Sequence, residues 1–397
     1  MEEIIAHLSD IMNDITGFIY PNEIELHWGL LIVLYPYLTG LVAGAFILAS
    51  LVKVFNVKEV QPTYRLSLLT ALAFLIVAPL PLLAHLGHPE KSFEIFLTPN
   101  TSSAMAMFGF VYAWYLMAVL LLEIWLDYRK DLINWANASK GLKKWFYKLI
   151  SLFSQDVSEN ALRFDKKASK IITIIGIPSA FLLHGYVGFI FGSIKANPWW
   201  SSVLMPIVFL FSAIVSGIAL VLLLYMIITP LRNKETDMIC LDKIASYLFY
   251  AMIVDFSLEA LDFVHRIYES EESIKILKEL VSGKIFVSLV VIQLLMGMII
   301  PLMSIIGVKL FKTPAELRRL IYFVSALLVQ VGIFSTRWNV VIGGQLFSKS
   351  FRGLTLYKPT FFGLEGLLAS IILLVLPFLI LYILHAILPP WKRSPAS

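Results

Sequence analysis

Nine long apolar blocks decide what this chain can fold into. They run over residues 28–55, 64–86, 103–126, 169–191, 200–228, 241–265, 284–308, 317–334 and 361–388. A bilayer core about 30 Å thick needs roughly 20 apolar residues at 1.5 Å each. The eighth block is the shortest. The chain is 59% hydrophobic and 15% charged, against roughly 45–50% and about 25% in soluble domains. That much apolar surface cannot be hidden in a soluble core. A soluble enzyme, a secreted domain and a disordered chain are therefore excluded. The fold class is an all-α integral membrane protein with about nine transmembrane helices. Spacing divides the first eight into two four-helix bundles, over 28–191 and 200–334, with one further C-terminal helix at 361–388.

Charge sets the orientation. Residues 1–27 carry Glu2, Glu3, Asp10, Asp14, Glu23 and Glu25, with no Lys or Arg. A cleavable signal peptide opens with a basic region, so this stretch reads as an acidic outer segment. With the N-terminus outside, 22 of the 32 Lys and Arg residues fall inside. The positive-inside rule then expects a multi-pass protein of the cytoplasmic membrane, N-terminus out and C-terminus in, with the basic tail 389–397 inside. The net charge of +5 reflects topology and contact with the lipid bilayer, and it does not mark a nucleic-acid partner. A single cysteine, Cys240, rules out a disulfide framework, a CxxC pair, a CxxCH haem attachment and an iron–sulfur cluster held by this chain alone.

Two loops stand out. The inner loop 128–168 mixes basic and aromatic residues, among them Trp135, Lys143, Lys144, Trp145 and Lys148. It reads as an amphipathic segment on the membrane surface, with a docking platform as the alternative. The outer loop 335–360 holds Arg337-Trp338-Asn339 and Gly343-Gly344-Gln345; a lid or a partner-binding surface would suit it. Small residues four apart, such as Gly40 and Gly44, Gly188 and Gly192, and Ser212 and Ser216, point to close helix packing.

Charged side chains within hydrocarbon are costly and usually functional. In the sixth block Asp255, Glu259, Asp262 and Arg266 fall on one helix face. Three carboxylates on one face repel if all are ionised, so at least one holds a proton or pairs with Arg266. A proton wire needs such a stripe; a structural ion-pair network would also produce it. Glu123 and Asp127 sit at the inner end of the third block with no stripe leading to the centre. Protons are therefore expected to exchange with the outside. Of the seven histidines, His27, His85, His88, His184 and His265 sit in or near the outer leaflet; His7 and His385 lie elsewhere. A quinone site needs hydrogen-bond donors and a proton-handling group, and a b-type haem needs two facing axial histidines. No block carries two deep histidines, which favours quinone.

Three stretches then resemble the NrfD/polysulfide-reductase membrane-subunit family. They are residues 27–45, which include His27 and Tyr35-Pro36; residues 86–105, which include Leu86-Gly87-His88-Pro89-Glu90; and residues 184–217, which include His184, Pro198-Trp199-Trp200 and Ser212. Arg337-Trp338-Asn339, Gly343-Gly344-Gln345, Pro359 and Glu365 match the longer branch of that family, most like the membrane subunit of sulfite-reductase-linked, Dsr-type complexes. The resemblance implies a quinone-reactive membrane subunit of a multi-subunit respiratory oxidoreductase. Menaquinone or another quinone would be its bound substrate, with no haem or iron–sulfur cluster of its own. Its implied partners are a ferredoxin-like [4Fe-4S] subunit on the outer face and further redox subunits, such as a cytochrome c or heterodisulfide-reductase-like proteins. His27, His85, His184 and Tyr186 become quinone-binding candidates, and Asp255, Glu259 and Asp262 proton-transfer candidates. A proton-coupled secondary transporter, a b-haem cytochrome and a structural anchor remain the competing readings.

Overall fold

A computed structural model describes Met12, residues 15–269 and residues 273–391. His7, the acidic residues Glu2, Glu3, Asp10 and Asp14, and Lys392 and Arg393 of the tail lie outside the described residues. Among the described residues nine helices are long and apolar enough to span a membrane: Leu30–Lys53, Lys58–His85, Ala104–Ala138, Glu159–Gly192, Met205–Leu231, Met238–Tyr268, Val287–Leu310, Ala315–Gln345 and Leu367–Ile387. The chain is an all-α multi-pass membrane protein. The face where the first span begins is called the N-side below, and the opposite face the C-side.

The first and fifth spans form the centre. The first packs on the second, fourth and fifth; the fifth also packs on the fourth, sixth and eighth. The seventh pairs with the eighth, and the ninth lies outside the second. Small residues make the central crossing possible. Gly217 Cα would lie 2.7 Å from a Cβ added at Gly44, and a Cβ at Gly217 would overlap the Gly44 backbone. Gly297 and Gly332 repeat this close approach between the seventh and eighth spans. Backbone contact replaces the hydrophobic drive that lipid removes. Gly217→Leu should therefore lower stability by about 1–3 kcal/mol through overpacking, read as a lower melting temperature of the detergent-solubilised chain.

Two sequence boundaries need correction. The segment 128–168 is not mostly loop. The third span stays helical to Ala138, Gly141–Ile150 forms a short helix, and the fourth begins at Glu159. Ion pairs hold these polar extensions: Lys53 and Arg65 on Asp127 at 3.2 and 2.7 Å, and Arg129 on Asp165 at 2.6 Å. Ser158 caps the fourth helix by accepting the Ala161 N–H at 3.3 Å. Leu142 and Trp145 are exposed on the short helix, as an interfacial amphipathic segment requires.

The outer loop 335–360 likewise begins too early, and the eighth span is not the shortest. Its helix continues through Arg337 and Asn339 to Val341. Those polar residues are buried against other helices, so they do not need water and the helix does not end. Beyond it the chain returns to the first span. Gln345 accepts the Trp28 N–H at 3.0 Å and donates to the Trp28 carbonyl at 2.9 Å. The Tyr357 hydroxyl accepts the Leu30 N–H at 3.0 Å, satisfying a first-turn donor. Thr16–Gly17 pairs antiparallel with Gly353–Leu354.

Candidate functional site

The carboxylates of the sixth span have different fates. Asp262 is held by Arg266, one turn on, at 2.9 Å, and also accepts the Ser202 hydroxyl. Arg266 Nη1 donates to the Pro198 carbonyl at 2.6 Å. This pair closes the N-side end of the stripe. Asp255 is fully buried, and neither of its carboxylate oxygens has a hydrogen-bond partner. Glu259 accepts Gln293 Nε2 at 3.1 Å through one oxygen, while the other has none. Buried carboxylate oxygens are costly unless a proton or a partner is supplied.

Their counter-charge comes from Arg337, on the eighth span. It is the largest fully buried side chain among the described residues. Its Nη2 donates to Ser212 Oγ at 2.5 Å and to His184 Nε2 at 3.2 Å, and its guanidinium lies 4.1 Å over the Phe209 ring. Nε and Nη1 have no partner. The charge is within electrostatic reach of Asp255 and Glu259. Arginine can only donate, so His184 Nε2 must be the acceptor and its proton sits on Nδ1. That N–H points to Thr39 Oγ1 at 3.3 Å, and Thr39 in turn donates to the Tyr35 carbonyl at 2.9 Å. The tautomer is thereby assigned by its neighbours.

A polar relay leaves Glu259 toward the seventh and eighth spans. Gln293 Oε1 accepts Asn339 Nδ2 at 2.8 Å, and Asn339 Oδ1 accepts Ser288 Oγ at 2.5 Å. Gln293 sits in a π-helical stretch, Val287–Ile299, a distortion that recurs at functional sites. A cavity of about 60 Å³ touches Glu259, Asp262, Arg266, Gln293 and Asn339. A water needs roughly 10–15 Å³ of such volume and polar partners, so the cavity has room for a few waters.

A larger cavity, about 440 Å³, opens at the N-side and is lined by Glu23, Glu25, His27, Trp28, Trp200 and Gln345, among others. Trp28 and Trp200 stack 5.2 Å apart at 21° and form a flat wall. Trp199 lines the small cavity and Trp200 the large one. Their indole N–H groups donate to the Asn339 and Val340 carbonyls at 2.8 and 2.6 Å, so this tryptophan pair is fixed to the eighth span with one ring at each cavity.

The structure does not gather the four quinone-binding candidates. His27 lines the large cavity. His184 lies deeper, stacked on Phe209 with both ring nitrogens engaged. Phe191 sits between, in contact with Trp28, Trp200 and Phe209. His85 meets Glu365 at 2.8 Å, where the second span approaches the ninth. Tyr186 stacks on Phe108 of the third span, 6.4 Å between centroids. Among the proton-transfer candidates, Asp255 and Glu259 do share the buried centre, and Asp262 borders it.

Sequence reasoning misses Arg337, Gln293, Asn339 and the tryptophan pair as site residues. One signal is available for Arg337: Val329, Ile333 and Val340, all buried, carry the apolar helix period past it. Glu123, which the sequence presents as an isolated inner carboxylate, is fully buried and accepts Thr173 Oγ1 at 2.7 Å and the Tyr64 hydroxyl at 3.3 Å. Among the described residues no cluster of three His, Cys, Asp or Glu side chains is placed to hold a metal ion.

Nine apolar helices among the described residues, with a buried set of two carboxylates and one arginine on the sixth and eighth, define a multi-pass membrane protein with an ionisable centre. The profile of the family described as polysulphide reductase, NrfD, matches residues 21–349. The chain belongs to that family of membrane redox subunits. It is 33% identical over 321 residues to a selenate reductase subunit of Mesobacillus selenatarsenatis, covering 79% of this chain and 73% of that one. It is 31% identical over 204 residues to a putative dimethyl sulfoxide reductase membrane subunit of Halobacterium salinarum, covering 49% and 42%. It is also 21% identical over 326 residues to an Hdr-like menaquinol oxidoreductase integral membrane subunit of Archaeoglobus fulgidus, covering 82% and 72%.

Proposed function

We propose that this subunit exchanges electrons between a membrane quinone, such as menaquinone, and an iron–sulfur partner docked on its N-side, which is the outer face. The carrying observation is the N-side cavity of about 440 Å³, with a stacked tryptophan wall and His27 in its lining. That volume suits a small-molecule site, where pockets run about 300–1,000 Å³. The tryptophan wall offers a face for a planar ring, and His27 offers a ring nitrogen to a head-group oxygen. The relation to a menaquinol oxidoreductase subunit supports the same ligand class. Exposed Phe93, Leu97, Phe362 and Leu364 on the N-side loops suit a docked ferredoxin-like [4Fe-4S] subunit.

Quinol oxidation releases two protons along with two electrons. Asp255 and Glu259 bring two carboxylates and Arg337 one positive charge to a dry centre. Charge balance there keeps one proton on the carboxylate pair. The small cavity and the Asp262–Arg266 pair lead from that centre toward the N-side. A proton-coupled transporter would use the same carboxylates, but it leaves the aromatic cavity without a ligand. His184 does not fit a haem axial position, since Arg337 and Thr39 take both ring nitrogens.

The test is a fluorescence-quench titration of the purified chain with a quinol-analogue inhibitor. Binding should be saturable. Loss of one hydrogen bond in His27→Ala should weaken it about tenfold, and His184→Ala should weaken it less, because His184 lies beneath Phe191 and Phe209. A folded wild-type chain that shows no saturable binding sinks the reading.

A further inference from the structure

The C-side has a cavity of its own, about 600 Å³, between the ends of the fifth and ninth spans. Its upper walls are apolar and include Leu224, Ile228, Phe378 and Leu381. Its rim is not. Arg232 follows the last residue of the fifth span and lays its guanidinium 3.8 Å over the Trp391 ring. His385, in the last turn of the ninth span, meets the same ring edge-on, with 5.6 Å between centroids. His385 Nε2 is buried and has no hydrogen-bond partner.

Four buried or half-buried cations on this face are paired: Lys53 and Arg65 with Asp127, Arg129 with Asp165, and Arg318 with Asp242. Arg232 has no carboxylate partner among the described residues. Stacking on an indole fixes a guanidinium but uses none of its five N–H donors. A fixed guanidinium beside an unpartnered imidazole, under apolar walls at the membrane boundary, matches a phosphate with acyl chains attached. We infer that this groove binds an anionic phospholipid, its phosphate on Arg232 and His385 and an acyl chain along the fifth and ninth spans. The groove is preformed, because the Tyr128 and Tyr147 hydroxyls donate to the Leu388 and Ile387 carbonyls at 3.3 Å each and fix the end of the ninth span. The ninth span lies beyond the residues matched by the family profile, and the inference stands apart from the quinone reading.

Native mass spectrometry of the full chain in mild detergent, with equal phosphatidylglycerol and phosphatidylcholine, tests it. The wild type should retain the anionic lipid several-fold over the zwitterionic one: both present a phosphate, but the choline cation sets a like charge beside the Arg232 guanidinium. Arg232→Gln should erase that preference and Arg232→Lys should keep part of it. If Arg232→Gln does not fold, His385→Gln provides the same readout, with a partial loss expected. Equal retention of both lipids by the wild type overturns the inference, and so does an unchanged preference in a folded Arg232→Gln chain. Displacement of the lipid by millimolar inorganic phosphate would mean that the site reads a free anion, and would overturn it as well.

Discussion

Arg337→Gln should cost the folded chain about 3–5 kcal/mol, the scale for leaving buried charge uncompensated. Arg337 is the positive charge facing Asp255 and Glu259, and it also holds Ser212, His184 and the face of Phe209. Glutamine keeps hydrogen-bonding capacity but removes the charge. The melting temperature of the solubilised variant should fall steeply, and little folded protein should be recovered. The double variant Arg337→Gln with Asp255→Asn separates charge from packing. If the cost is electrostatic, the second change restores much of the loss. If the two changes simply add, the cost belongs to the lost contacts with Ser212 and Phe209.

Asp255→Asn alone should behave in the opposite way. It removes a buried carboxylate with no hydrogen-bond partner, so the fold should tolerate it or gain from it. Quinol turnover of the assembled complex should nonetheless fall, because the variant removes one member of the carboxylate pair that would carry protons away from the quinone site. Affinity for a quinol analogue should hardly change, because Asp255 is absent from the lining of the N-side cavity. Wild-type turnover in this variant would reduce the sixth-span stripe to a structural ion network.

Much of the fold is legible in the sequence, because an apolar run of bilayer length has few alternatives. The sixth-span stripe is legible for a related reason: Asp255, Glu259 and Asp262 repeat at helical spacing, and Arg266 sits one turn from its partner Asp262. The rest of the site depends on contacts between helices distant in sequence, which no local period reports. Arg337 and Asn339 interrupt the apolar run of the eighth span, so hydropathy ends the helix where packing continues it. His184 shows the converse. Its depth in an apolar run correctly marks it as unusual, but only its neighbours reveal that Arg337 and Thr39 occupy both nitrogens. The structure sets His85 against Glu365 on another part of the N-side, and it turns Tyr186 toward Phe108, because residues two apart on one helix do not share a face.

The stitching of the first span to the far end of the chain has a consequence for biogenesis. Trp28 and Leu30 are capped by Gln345 and Tyr357, 317 and 327 positions later. The N-side cavity draws its wall from both ends of that interval. A ribosome inserting this protein therefore releases the opening helix into the bilayer long before its caps exist. The cavity is completed only once the eighth span has emerged, and a nascent chain halted before residue 345 is left without it even when seven helices are already threaded.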